Sequence, residues 1–392
     1  MSVHNDDNLA LKKKTYLDYN ATTPTEPRVV ETMLPYFTEN FGNASSDHSF
    51  GWYADEAVEI ARNQVAKLVN SRPVGLTFTS GATEAANLAL FGFCKTNKSK
   101  GNHIITCKTE HKAILETLEA LEADGFEVTY LDVDANGNVD LNELEESIKS
   151  STILICLMLA NNETGLIHPI KSITELAHSK GVSVMSDITQ AVGKIPVDLK
   201  DEGVDMAIFS SHKIYGPKGV GALYLNKNNN ISIEKYLYGG NHEKGVRPGT
   251  LNVSGIIGFG EACNIAKQNL EENHQKQLSL RNQLEEELLA MKGTTINCDK
   301  ENRLPNTTNV SFKGVNGTKL LRYLNNLAVS RGSACTANQV NPSHVLKAMG
   351  IEDDVALASL RISTGRNTTS EDIEQAVSEI KKAVNQLKTV SI

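Results

Sequence analysis

No C-x-x-C pair occurs among the six cysteines Cys94, Cys107, Cys156, Cys263, Cys298 and Cys335, so neither a zinc ribbon nor a disulfide framework is suggested. A reducing compartment suits that usage. Long apolar runs are missing too: nothing approaches the roughly 18 residues of a membrane helix, and the polar leader MSVHNDDNLALKKKTY holds no stretch of signal-peptide length. A cytoplasmic protein without membrane attachment is expected. Basic charge is not in excess. A net charge of −8 and a pI near 5.8 argue against a broad nucleic-acid-binding surface and leave small molecules or proteins as partners. Internal repeats and low-complexity tracts are absent as well.

What is present is ordinary globular usage, 40 % hydrophobic and 22 % charged, in 392 residues. That length exceeds what one core usually serves, so a large domain plus a smaller one is expected. Between Leu76 and Leu225, short β-branched runs alternate with segments of helical spacing. The strand candidates are Leu76–Ser80, His103–Cys107, Glu127–Asp132, Ile153–Leu159, Val182–Asp187, Met206–Ser210 and Gly221–Leu225. Helices are predicted at Glu84–Phe93, Lys112–Ala123, Leu141–Lys149 and Ile170–Lys180. The alternation predicts a doubly wound α/β domain on a mainly parallel seven-stranded sheet. After Thr250 a charged helical stretch runs from Asn252 to Met291, with a break expected near Asn273, and leads into a smaller α+β domain. Its strands are predicted at Asn309–Phe312, Ala328–Ser330 and Leu360–Ser363, and its last helix starts at Thr369 or Ser370, where a hydroxyl and Asp372 suit an N-cap. The expected division is a polar leader over 1–15, a large domain over 16–260 whose 16–50 arm packs on the small domain, and a small domain over 261–392.

Three segments carry chemistry. In LTFTSGATEAANLALFGF a strand runs through Ser80-Gly81-Ala82-Thr83 into a helix, so N–H groups and a hydroxyl converge as a phosphate cradle; a plain capped turn would look the same locally. In DMAIFSSHKIYGPKGVGALYL, Lys213 follows a buried strand beside Ser210 and His212. Most lysines are surface charges, but desolvation there would depress the amine pKa, as a Schiff-base lysine requires. In VSVMSDITQAVGK, Asp187 ends an apolar strand at the ligand-binding edge of the sheet, where a buried carboxylate needs a cation such as a protonated pyridine nitrogen. Any one of these could be structural; together in one sheet they point to a pyridoxal-phosphate site.

At this point the chain resembles the cysteine desulfurases of the NifS/IscS group, within the fold-type-I, class V pyridoxal-phosphate enzymes. The landmarks are YLDYNATTP (16–24), FGNASSDHSFG (41–51), TSGATEAAN (79–87), KTEHKAIL (108–115), NNETG (161–165), SDITQAVGK (186–194), SSHKIYGPKG (210–219), RPGTLNV (247–253), SRGSACT (330–336) and SLRISTGR (359–366). The resemblance implies that Lys213 bonds the cofactor aldehyde, Asp187 pairs with the ring nitrogen, Gln190 meets the ring oxygen and His111 stacks on the ring. Ala82, Thr83, Ser210 and His212 would hold the phosphate, with Thr250 reaching it from the neighbouring subunit of a homodimer. Asn162 and Arg361 would bind the substrate, the guanidinium gripping its carboxylate through paired hydrogen bonds. The implied reaction converts L-cysteine to L-alanine and leaves a persulfide on Cys335 for a protein sulfur acceptor. Relatives of this kind serve iron–sulfur cluster assembly, tRNA thiolation or DNA phosphorothioation. No metal site and no direct nucleic-acid binding are expected.

Cys335 stands apart from the other five cysteines. It lies in SRGSACTANQVNPS, a small, polar stretch that reads as an exposed loop, whereas a cysteine is usually a buried small hydrophobe. Four residues earlier, Arg331 would lower the Cys335 pKa or recognise an acidic acceptor, or else be a solvated surface arginine. Two other functions stay open on the residues. One is a selenocysteine lyase or other class V enzyme in which Cys335 is dispensable; the other is a silent cofactor-binding scaffold, against which intact Lys213, Asp187, His111 and Cys335 argue.

Overall fold

The computed structural model describes residues 14–229, 231–331 and 341–389; Cys335 and most of its loop lie outside them. In chain order the strands are β1 (Thr15–Tyr16), β2 (Leu76–Thr79), β3 (His103–Cys107), β4 (Glu127–Leu131), β5 (Thr152–Cys156), β6 (Ser183–Asp187), β7 (Met206–Ser210), β8 (Gly221–Leu225), β9 (Thr294–Ile296), β10 (Thr307–Phe312), β11 (Leu327–Ala328) and β12 (Ser359–Ser363). Seven of them form one sheet in the order β2-β8-β7-β6-β5-β3-β4. Only β8 runs against its neighbours; the pairs among β3, β4, β5, β6 and β7 are parallel. The fold is the doubly wound α/β sheet that the alternating pattern predicts.

Burial on both faces explains why the central strands read as continuous apolar runs. Strands β3, β5, β7 and β8 are buried at every position. Successive side chains point to opposite faces, so Ile105 joins a core with Val65, Phe78, Phe209 and Phe259, while Ile104 joins Leu88, Ile114 and Leu223 on the other side. The helices Ala82–Asn97 and Lys112–Ala123 cover that second face.

A three-stranded antiparallel sheet, β12-β10-β9, has its own core, with Phe312 and Leu360 packed against Leu284 and Leu288 of the helix Leu270–Leu289 and Ile373 and Ile380 of the helix Ser370–Thr389. That last helix begins where the hydroxyl and Asp372 predict. The Thr369 Oγ1 accepts the Asp372 N–H at 3.2 Å while the Asp372 carboxylate accepts the Thr369 N–H at 3.0 Å, a reciprocal cap. Leu17 from the N-terminal segment is buried in this core, and β1 pairs in parallel with β11. The expected helix break at Asn273 falls instead at Asn269, between helices Val253–Gln268 and Leu270–Leu289. The Asn269 amide donates to the Ile265 carbonyl at 2.8 Å, so the side chain competes with the helix for its own last acceptors.

One buried ion pair ties the long helix Ser49–Leu68 to the 239–250 loop. The Arg62 guanidinium meets both oxygens of Glu243, at 2.9 and 2.8 Å, and Glu243 also accepts the Phe78 N–H at 2.8 Å. Removing one member leaves an uncompensated buried charge, so Glu243→Leu is expected to lower the unfolding free energy by about 3–5 kcal/mol in urea titrations. The double variant Arg62→Met/Glu243→Leu should recover much of that loss, because neither charge is then stranded.

Candidate active site

A cavity of about 560 Å³ lies at the carboxyl end of the sheet. Each of the loops after β2, β3, β5, β6 and β7 sends residues into it, as expected for an open α/β sheet whose ligands bind beyond the strand ends. The loop after β2 brings Ala82 and Thr83, that after β3 brings His111, and that after β5 brings Asn162. Strand β6 and its following turn supply Asp187 and Gln190; β7 and the short turn Ser211–Lys213 supply Ser210, His212 and Lys213. Arg361 enters from β12 of the smaller sheet. Ten of the residues singled out in the sequence thus share one cavity. Thr250 is exposed and does not line it, and Cys335 lies outside the described residues.

At one end the start of the helix Ala82–Asn97 forms a cradle. The Ser210 hydroxyl accepts the Ala82 N–H at 2.7 Å, and Glu84 reaches back to the Ser80 N–H at 2.7 Å, fixing the turn. First-turn N–H groups have no acceptor inside the helix, which favours an anion there. Gly221 makes the close approach possible: a Cβ on it would stand 2.7 Å from the Gly81 Cα and from the Phe209 carbonyl oxygen. The His212 Nδ1 lies 3.1 Å from the Thr22 hydroxyl, and burial, with Lys213 and Lys218 adding, pulls its pKa down to about 4, so it stays neutral.

In the middle stands Lys213. Its Nζ donates to the main-chain carbonyls of Asn20 and Ala21, at 2.6 and 2.7 Å. Burial, then the Arg361 charge, brings its pKa down to about 8 against the opposing pull of Asp187 and Asp18. An amine in that range supplies free base near neutral pH. Asp187 is buried, its Oδ1 accepting the Thr189 N–H at 2.9 Å, and it makes no ion pair among the described residues. A carboxylate so placed fits a cationic ring nitrogen. His111 accepts the Ala113 N–H on Nδ1 at 3.1 Å, which leaves Nε2 to carry the proton of the neutral ring; burial first, then Lys213 and His344, lower its pKa. Pyridoxal phosphate therefore fits the residues present: an anion cradle, a free amine, a flat-faced imidazole and a buried carboxylate.

At the other end stands Arg361, whose guanidinium donates to the Asn162 carbonyl at 3.1 Å and to the Asp18 carboxylate at 2.7 Å. Asp18, Asn20, Glu163, Lys194 and His344 were not picked out as individual site residues from the sequence. Asp18 and Asn20 sit inside YLDYNATTP, and Lys194 stands four residues after Gln190, a helical spacing that would put both on one side of a turn. Glu110, next to His111, is fully buried, and burial raises its pKa to about 8.

Arg331 is buried and donates to the carbonyls of Gly317 and Thr318, at 2.6 and 3.1 Å. It is not a solvated surface charge. Cys94, Cys107, Cys156, Cys263 and Cys298 are buried. Burial pushes the thiols of Cys94, Cys107 and Cys298 up to about 12, so they are structural. Among the described residues no cluster of three or more His, Cys, Asp or Glu side chains could hold a metal ion, and no helix is long and apolar enough to cross a membrane.

The family model for class-V aminotransferases matches residues 15–376. Cysteine desulfurase IscS of Klebsiella pneumoniae subsp. pneumoniae is 48% identical over 97% of this chain and 95% of its own length, and that of Salmonella schwarzengrund matches to the same extent. Among solved structures, a NifS-like protein superposes with a TM-score of 0.90 at 38% identity, covering 95% of this chain and all of its own. DndA from Streptomyces lividans reaches 0.76 at 37% identity over 88% of this chain and 97% of its own. A full-length match of this kind, on a cavity whose residues fit pyridoxal phosphate, places the chain in the class-V aminotransferases and, among them, in the cysteine desulfurase family of pyridoxal-phosphate-dependent enzymes.

Proposed function

We propose that this enzyme takes the sulfur of L-cysteine, releases L-alanine and carries the sulfur as a persulfide on Cys335 to a protein acceptor. The observation that carries the proposal is the convergence of Lys213, Asp187 and Arg361 on one cavity. In this reading Ala82, Thr83, Ser210 and His212 hold the cofactor phosphate, Asp187 the ring nitrogen, Gln190 the ring oxygen, and His111 lies against the ring. When bound, pyridoxal phosphate supplies an electron sink for negative charge at the substrate α-carbon. Arg361 takes the substrate carboxylate, with Asp18 keeping the guanidinium in plane and Asn162 beside it. The Lys213 amine would take the α-proton and hold it, as an ammonium, for return to the substrate carbon skeleton. The Cys335 thiolate then attacks the substrate sulfur; the new S–S bond forms as the C–S bond breaks, and that electron pair passes to the carbon skeleton. The proton given up by the Cys335 thiol completes alanine, with the His111 Nε2–H assisting by hydrogen bonding.

The test is alanine release from L-cysteine, together with a gain of one sulfur atom on the Cys335 peptide by mass spectrometry. Sulfur on another residue, or none, would overturn the persulfide assignment and favour a related lyase. Arg361→Met is expected to lower kcat/KM for L-cysteine about a hundredfold, largely through KM, because a paired charge-assisted grip is lost.

We also propose a homodimer in which Thr250 completes the phosphate site of the partner subunit. Phe37, Phe41, Phe50, Trp52 and Tyr53 are all more than half exposed, far more aromatic surface than an isolated chain usually presents. They lie on or near the helix Ser49–Leu68, to which Arg62 and Glu243 bind the loop leading to Thr250. Trp52→Asp should shift the protein toward monomer in light scattering and weaken cofactor retention together; a monomeric wild type would overturn this. The acceptor thiol belongs to a protein of iron–sulfur cluster assembly, tRNA thiolation or DNA phosphorothioation, and the setting is cytoplasmic.

A further inference from the structure

Behind the cavity lies a lysine that the chemistry above does not use. Lys194 is buried, and its Nζ donates to the Asn20 side-chain oxygen at 2.9 Å and to the Gln190 side-chain oxygen at 2.5 Å. Both partners are neutral amides, and no carboxylate pairs with this amine among the described residues. The Gln190 amide nitrogen donates in turn to the Asn20 main-chain oxygen at 3.0 Å, the same oxygen that receives the Lys213 amine. A closed ring of hydrogen bonds therefore runs through Lys194, Gln190 and Asn20, with Lys213 attached to it.

We infer that Lys194 is a positioning residue that, together with the Asn20 main-chain oxygen, holds the polarity of the Gln190 amide, so that Gln190 offers the cavity a donor N–H. The amide cannot be turned over. A main-chain oxygen only accepts, so the nitrogen of Gln190 must face Asn20, and Lys194 donates to the oxygen that remains. With its oxygen bonded to Lys194 and one N–H to Asn20, Gln190, which lines the cavity, keeps a second N–H to donate. A group held there must be an acceptor. For pyridoxal phosphate this means the ring oxygen would accept from Gln190, which favours its phenolate form over the hydroxyl; this step rests on the proposed placement of the cofactor. Asn20 is locked by the same logic, its amide nitrogen donating to the Asn162 main-chain oxygen at 3.2 Å and to the Thr307 hydroxyl at 2.9 Å. Burial, with Lys213 and Arg361 adding, pulls the Lys194 pKa well below its usual value, which suits a neutral donor beside the catalytic amine.

The test compares equilibrium binding of pyridoxal phosphate and of its 3-deoxy analogue, which lacks the ring oxygen, to the apo form of the full chain. Wild type should favour pyridoxal phosphate by about tenfold or more, the range of a hydrogen bond to a charged acceptor. Gln190→Met should bring the ratio down; Lys194→Met should lower it part of the way, because the amide then keeps only its bond to the Asn20 main-chain oxygen; and the double variant should lose no more than Gln190→Met alone. A Lys194→Met protein that keeps the full ratio overturns the inference. Gln190→Glu gives an independent reading should Lys194→Met fail to fold. It retains Lys194 but sets an acceptor where a donor is required, so pyridoxal phosphate should bind more weakly than to Gln190→Met, and equal affinities would overturn the inference. Failure of wild type to bind either compound would instead overturn the cofactor placement itself, whereas equal binding of the two would leave that placement standing and remove only the role given to Gln190 and Lys194.

Discussion

Replacing Cys335 with Ser should cost about a thousandfold or more in alanine formation from L-cysteine while leaving cofactor binding intact. The substitution keeps size and hydrogen bonding but exchanges a polarisable sulfur, a small fraction of which is thiolate at neutral pH, for a hydroxyl that is a poor nucleophile toward sulfur. No other cysteine is placed to rescue it. The remaining five are buried, and desolvation holds their thiols in the protonated form. The measurement is steady-state alanine release alongside the visible absorption of the bound cofactor. Lost turnover with an unchanged spectrum supports a persulfide route; full turnover without the thiol would assign the chain to a lyase chemistry in which sulfur leaves directly.

Lys213→Ala should be more damaging still, at about ten-thousandfold or more, because in the proposed mechanism one residue both anchors the cofactor and carries the α-proton. The pH behaviour of the wild-type amine offers a finer check. With a pKa near 8, Lys213 is mostly ammonium below that pH and mostly free amine above it. Capture of pyridoxal phosphate by apoprotein needs the free amine. The capture rate should therefore rise about tenfold per pH unit up to about 8 and level off beyond it. Arg361→Met removes the nearby positive charge that helps lower this pKa, so the midpoint should move upward, toward the ordinary lysine value. A midpoint that stays put, or moves down, would show that burial alone tunes the amine.

How much of this was legible in the residues depends on how local the signal is. His103–Cys107, Met206–Ser210 and Gly221–Leu225 are strands to the residue, and Lys112–Ala123 is a helix to the residue, because each is a clean apolar run or amphipathic segment bounded by turn chemistry. Where neighbours decide, the reading drifts. The helix expected over Glu84–Phe93 extends over Ala82–Asn97, and the strand expected over Ile153–Leu159 closes at Cys156. Leu157 and Leu159 still donate to the Met185 and Asp187 carbonyls, but the backbone bends at Leu159 and the regular strand ends before them. Strand β9 has only three residues and was not anticipated; it is a strand because β10 offers it an edge. In the site, Lys213 and Asp187 announce themselves by ending or following buried strands. Lys194 does not, since a lysine after glycine in a turn reads as solvated until Asn20, far away in sequence, is seen to face it.

The segment from Leu17 to Thr23 precedes almost every group it touches: Asp18 meets Arg361, 343 residues downstream, and the Asn20 side chain meets Thr307, 287 residues downstream. Its carbonyls are also the ones that receive the Lys213 amine. The Lys213 amine therefore rests on a segment whose anchors Arg361 and Thr307 lie in the smaller sheet, so the two cores must meet before the site is complete. A chain that stopped short of Arg361 would lack the guanidinium beside the reactive lysine.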